Sequence, residues 1–232
     1  MKDTTEFDRY AAEDYARFSR DPIRNSFASG SRFFLIRKIM LLRDFFKRRA
    51  EATASASWLD VGCGQGDLLR CGKRYFGRAA GCDVSSGMLR SCGELNVRLM
   101  ESPCEVPFEA GSFDLVTAVC VFHHVLQADR QALVADISRV LRRNGIFCMI
   151  EHNPFNPATR FIVRTCPIDV HARLLRAEST RNLSVSVGMK ILSTEYFLYF
   201  PEWLYTKLAS VEARLSSVPL GGQYAVFAQK IL

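Results

Sequence analysis

Apolar residues recur along this chain in two rhythms, and the switch between them marks its elements. Near the start, Phe7, Tyr10, Ala11, Asp14, Tyr15 and Phe18 give a segment with aromatics at helical spacing, and Asp21-Pro22 breaks it. After a Ser/Gly stretch from Ser26 to Ser31, Leu35, Ile39, Leu42 and Phe46 fall at i, i+4, i+7 and i+11. That stripe predicts a helix to about Ala50 with one buried face. Beyond it the rhythm changes. Short apolar runs appear at Trp58 to Val61, Ala79 to Ser85, Val97 to Met100, Phe113 to Val121 and Gly145 to Glu151, the look of strands covered on both faces. Helical patterns separate them over residues 67–76, from Ser86, and along Leu133, Ile137, Val140 and Leu141. The last of these finishes at Arg142-Arg143-Asn144-Gly145, where basic residues suit a helix dipole and Asn-Gly ends the helix. Strands alternating with helices predict an α/β fold with a doubly wound parallel sheet. Residues 191–200 read as a sixth strand stopped by Pro201, followed by a helix over 202–217 and a short last strand over 221–230. A long link before a short final strand fits an antiparallel ending.

Between the first strand and the next helix stands Asp60-Val61-Gly62-Cys63-Gly64-Gln65-Gly66-Asp67. Glycines at alternate positions allow positive φ and let a ligand approach the backbone closely. A dinucleotide turn spaces its glycines as G-x-G-x-x-G and seats a pyrophosphate at a helix N-terminus. Here the third glycine comes one residue early, and Asp60 stands two residues before the first. A carboxylate there repels a pyrophosphate and suits an ammonium group. Asp83 ends the second strand 17 residues beyond Gly66, where an acid can accept both hydroxyls of a ribose.

Asp-x-Gly-x-Gly-x-Gly resembles the first motif of the class I S-adenosylmethionine-dependent methyltransferases. Val106-Pro107-Phe108, continued by Gly111-Ser112-Phe113-Asp114-Leu115-Val116, resembles the segment between their third and fourth strands. The resemblance covers residues 56 to 230. It implies a seven-stranded Rossmann-like sheet in a domain over 56–232, behind a helical N-terminal cap over 1–55. It also implies S-adenosylmethionine as cofactor, held by Asp60, Gly62, Cys63, Gly64, Gly66 and Asp83, with Val84, Met88 and Val119 alongside. Where the family usually holds the adenine with an Asp-Ala type pair, this chain has Ser102 and Pro103. One carboxylate fewer leaves that contact to main chain and the Ser102 hydroxyl.

For an acceptor, the first candidates follow the fourth strand at Phe122-His123-His124-Val125. His123, His124 and His152 are candidate bases, with a structural role open for each. The loop Glu151-His152-Asn153-Pro154-Phe155-Asn156-Pro157 leaves the C-terminal edge of the fifth strand, the edge where open α/β sheets bind ligands. It resembles a bacterial methyltransferase subgroup with a Glu-His-Asn-Pro-x-Asn-Pro loop. Asn153, Asn156 and Asp169, with Tyr10 and Tyr15, are expected to close on the acceptor. Nucleic-acid amino-methyltransferases carry Asn-Pro-Pro-Tyr after the fourth strand, whereas this chain has Asn-Pro after the fifth.

Charge and cysteines narrow the picture. Net charge is +7, and ten Lys or Arg between Arg17 and Arg49 stand against only Asp21 and Asp44. On the long helix they spread round the surface rather than gathering on one face, which predicts a solvated helix and not a membrane or phosphate surface. Eight cysteines without a Cys-x-x-Cys pair predict buried, reduced thiols and no metal. No apolar stretch approaches the roughly 20 residues that span a bilayer, and a cytosolic location is expected. The leading expectation is methyl transfer to an oxygen or nitrogen of a small-molecule metabolite. Two rivals stay open: RNA methylation, from the basic N-terminal segment, and a binding subunit or cyclase on the same fold.

Overall fold

The computed structural model describes residues 22–169 and 172–231. Its strands are β1 (Ser57–Val61), β2 (Arg78–Asp83), β3 (Val97–Leu99), β4 (Phe113–Val119), β5 (Leu141–His152), β6 (Met189–Phe197) and β7 (Gln223–Lys230). Around them lie α1 (Pro22–Phe27), α2 (Ser31–Arg48), α3 (Asp67–Gly72), α4 (Ser86–Arg90), α5 (Arg130–Val140), α6 (Pro157–Thr165), α7 (Ala177–Ser186) and α8 (Glu202–Arg214). The strands form one sheet in the order β3-β2-β1-β4-β5-β7-β6. The first five run parallel, and β7 lies antiparallel between β5 and β6. Strand order turns back between β1 and β4, which opens a crevice beyond their C-terminal ends.

The two-face burial predicted from the apolar runs is visible residue by residue. On β5, Ile146, Cys148 and Ile150 join Trp58, Leu115 and Phe227 on one face of the sheet, while Phe147 and Met149 join Leu59 and Val116 on the other. The first face is covered by α2 and α3, through Ile39, Leu42, Phe45, Leu68 and Leu69. The second is covered by α5, through Leu133, Val134, Ile137 and Val140. The predicted stripe on α2 therefore packs into the sheet's own core, and Phe45 stacks on Phe227 with ring centroids 3.9 Å apart.

Three expectations need correcting. The helix α5 stops at Val140, and Arg142, Arg143 and Asn144 belong to β5. Arg142 grips both carboxylate oxygens of Asp114 at 2.9 Å instead of serving a helix dipole. Asn144 takes φ +64 where the β4 and β5 pairing shifts register, so Asn-Gly marks a kink inside a strand. The fourth strand ends at Val119, because Cys120 turns into the left-handed region at φ +57. Finally, α2 is not solvated at all its basic positions. Arg37 and Lys38 are each only 8% exposed. Arg37 pairs with Glu212 of α8 and lies over the Tyr205 ring at 3.5 Å. Among the described residues no helix is long and apolar enough to cross a membrane.

Candidate active site

A cavity of about 700 Å³ opens in the crevice beyond β1 and β4. The turn after β1 forms part of its wall. Gly62 has φ +72, and a Cβ there would meet Val121 Cγ2 at 2.4 Å, so any side chain strains the turn and displaces Val121. Gly64, at φ +54, lines the cavity with nothing within 4 Å of where its Cβ would stand. Gly66 lies off the cavity and caps α3 in the left-handed conformation. Asp60 lines the cavity although it is buried. The Thr117 hydroxyl donates to Asp60 Oδ1 at 2.7 Å and accepts from the Trp58 indole N–H at 2.8 Å, which fixes the carboxyl in one orientation. Burial raises Asp60 to about 7, against the opposing pull of Thr117 and Lys38.

Asp83 closes the turn from the neighbouring strand. Its Oδ2 accepts from the Gly64 N–H at 2.8 Å and its Oδ1 from the Ser85 N–H at 2.9 Å. Cys63, Val84, Met88, Pro103 and Val119 line the same cavity. Ser102 does not, and its hydroxyl accepts from the Cys104 N–H.

His124, His152, Asn156 and Asp169 line another part of the cavity. His123 lies behind them, with Nδ1 2.5 Å from Glu151 Oε2 and Nε2 3.4 Å from Asp169 Oδ1. Burial alone would lower His123, yet Glu151 and Asp169 hold it protonated, up to about 10. The same imidazoles hold Asp169 far below the usual carboxylate range in spite of its burial. His152 goes the other way: burial, helped by the His123 charge, lowers it to about 4 and keeps it neutral at pH 7. Asn153 sits off the cavity and spends its side chain on main chain. Its Nδ2 donates to the carbonyls of Pro219 at 3.0 Å and Gly221 at 2.8 Å, and its Oδ1 accepts from the Phe155 N–H at 3.1 Å. Asn156 caps α6 through the Thr159 N–H and donates to the Leu220 carbonyl. Both asparagines thus pin the loop to the link between β6 and β7. Tyr10 and Tyr15 lie outside the described residues.

Comparison with known proteins agrees with this geometry. A family model described as a methyltransferase domain matches residues 59–149. Residues 59–149 therefore match a methyltransferase domain. The uncharacterized methyltransferase YcgJ of Bacillus subtilis is 30% identical over 113 residues, 45% of this chain and 44% of that protein. The chain thus spans under half of that relative's length. A SAM-dependent methyltransferase from Archaeoglobus fulgidus shares the fold at TM-score 0.62 and 18% identity, covering 94% of this chain and 100% of that one. So does phosphoethanolamine N-methyltransferase 2 of Haemonchus contortus, solved in complex with S-adenosyl-L-methionine, at TM-score 0.56 and 19% identity, over 81% of this chain and 51% of that one.

The residues of the methyltransferase domain fit its cofactor, S-adenosylmethionine. A buried carboxyl stands where an ammonium needs a counter-charge, and Gly64 leaves open space that any side chain would fill. Bound there, the cofactor supplies an electrophilic methyl group on a sulfonium. Two contributors escaped the sequence reading. Thr117 sits as a lone hydroxyl in an apolar strand, a signal that was there to be read. Lys38 lies three residues after Leu35 and four before Leu42, on the stripe itself, and reaches the cavity lining near Asp60. The lining divides along the chain. The matched stretch supplies the glycine turn, both acids and His124. Residues before and after it, including Phe34, Leu35, Lys38, Ile162, Asp169 and Tyr199, supply the remaining wall.

Proposed function

We propose that the protein transfers the methyl group of S-adenosylmethionine to an oxygen or nitrogen of a small metabolite. One observation carries this reading: a single cavity of about 700 Å³ joins the Asp60 and Asp83 carboxyls to the His124, His152 and Asp169 cluster. That volume lies in the range of small-ligand sites. Asp60 takes the ammonium of the cofactor, Asp83 its ribose hydroxyls, and the glycine turn gives the backbone close approach. Apolar walls from Phe34, Leu35, Ile162 and Leu198 select an acceptor with apolar surface. His152 touches the cavity and is placed to take the acceptor's proton, while His123 and His124 stand beside it as positioning residues. Methyl transfer is an in-line displacement, in which the acceptor lone pair forms the new bond to carbon as the carbon–sulfur bond breaks. Holding the partners in line supplies roughly 7–11 kcal/mol of the barrier reduction.

The RNA alternative rested on ten basic residues, of which Arg37 and Lys38 turn inward. Calorimetric titration with S-adenosylmethionine and S-adenosylhomocysteine, followed by a screen of hydroxylated and amino metabolites with labelled cofactor, tests the proposal. Binding of both cofactor forms and label transfer to a small acceptor is the expected result. Tight cofactor binding with label appearing only in RNA would overturn the acceptor class.

A further inference from the structure

The cluster that ends β4 and β5 has the makings of a metal centre. We propose that His123, His124 and Asp169 bind a divalent transition-metal ion of the zinc class, with a coordination position open to the cavity. The Nε2 atoms of His123 and His124 lie 3.4 and 3.2 Å from Asp169 Oδ1, and one ligand atom from each residue falls within 4.8 Å of the others. Bonds of about 2.0–2.1 Å at tetrahedral angles set neighbouring ligand atoms about 3.3–3.4 Å apart. Both spacings to Asp169 match that edge.

Adjacent histidines rarely converge, because successive side chains of a strand point to opposite faces. Here the strand has already ended. Cys120 turns at φ +57, and the His124 N–H closes on the Val121 carbonyl at 2.9 Å, bringing the two rings to a centroid distance of 4.1 Å. The outer ring atom of His123 is also held in the manner of a metal ligand. Its Nδ1 is bonded to Glu151, a fully buried carboxylate that the Phe122 N–H fixes in turn at 2.7 Å. A carboxylate behind an imidazole sets its tautomer and aims the other nitrogen at an ion.

Charge points the same way. Glu151 and Asp169 bring two carboxylates to the buried His123 ring, and a divalent cation placed there offsets their charge. Two imidazoles and one carboxylate leave room for a further ligand, the pattern of catalytic rather than structural sites. His124 and Asp169 line the cavity, so the vacant position faces whatever the cavity holds. An oxygen or nitrogen donor of a bound small molecule is the class of ligand it would take. This assignment stands on the ligand geometry and does not depend on methyl transfer.

The test uses full-length protein stripped with a chelator and titrated with Co²⁺ alone, then with Zn²⁺. One equivalent of cobalt should bind with the visible absorption of a low-symmetry site, and zinc should displace it. Asp169→Asn and His124→Ala should each abolish that absorption, while circular dichroism shows both variants folded. Glu151→Gln, which keeps the side-chain shape, should weaken cobalt binding roughly 10–100-fold. Absence of cobalt binding to folded wild-type protein would overturn the assignment. So would unchanged binding in Asp169→Asn and His124→Ala, which would place the metal elsewhere on the protein. Loss of methyl transfer with cobalt binding intact would count against the proposed reaction and leave the metal site standing.

Discussion

Asp60 offers a direct route to testing the cofactor assignment, because burial sets its ionisation at about 7. Only the ionised carboxyl attracts an ammonium, so the observed affinity should follow its ionised fraction. Going from pH 7 to pH 6 lowers that fraction roughly fivefold, and a further tenfold is lost by pH 5. An α-amino group stays charged throughout this window, its pKa being about 7.7–8.0. The dissociation constant for S-adenosylmethionine should therefore rise roughly 50-fold from pH 7 to pH 5, about 2.3 kcal/mol. Calorimetry in two buffers of different ionisation enthalpy should also show about half a proton released on binding at pH 7. Asp60→Asn should bind weakly and with no such pH dependence. Equal affinity of the wild type at pH 5 and pH 7 would refute the reasoning. The same shift carries a stability consequence of unusual sign. The folded state holds a proton that the unfolded chain releases near 3.8, so this contribution is fully present below about pH 4. It is lost as pH rises through about 7, by about 4 kcal/mol before the cofactor's ammonium compensates.

Other outcomes follow from single contacts. Lys38→Met removes a cation that favours ionised Asp60, so the pH profile of cofactor binding should move to higher pH, read by the same titration. Gly62→Ala forces a left-handed alanine whose Cβ stands 2.4 Å from Val121. It should lower cofactor affinity at least roughly tenfold, measured on protein whose circular dichroism is unchanged. Phe45→Ala empties the site stacked on Phe227 and should cost about 3–5 kcal/mol in urea unfolding.

What the chain disclosed in advance was whatever its signals carried locally. Trp58 to Val61 and the following glycines announce strand and turn within a dozen residues, and Asp60 and Asp83 are readable because each stands at or next to the C-terminal end of a strand. The missed features depend on partners far along the chain. Lys38 looks like a surface lysine until the strands it covers place Asp60 near it. Asn153 and Asn156 look like ligand groups, yet the carbonyls of Pro219, Gly221 and Leu220 need donors and take theirs. Arg142 and Asn144 carry a correct helix-ending signal that strand pairing overrides, since Asp114 binds the arginine and the β4 ladder accommodates the kink. The metal expectation turned on cysteine spacing, whereas the three proposed ligands are two adjacent histidines and an aspartate some 45 residues later, which no short motif joins.

On the proposed reading, the division of the cavity lining along the chain puts most of the donor's contacts in one stretch and much of the acceptor's wall in others. Residues 59–149 hold the turn and acids that would grip the methyl donor, while the flanking segments close the other side. On that reading, substitutions in those flanks other than at Lys38 exchange one acceptor for another without disturbing the donor's seat. A protein alike only in the central stretch would share this one's fuel and need share nothing of its target. Exchanging the segment around α6 between two such proteins should then carry the acceptor preference with it.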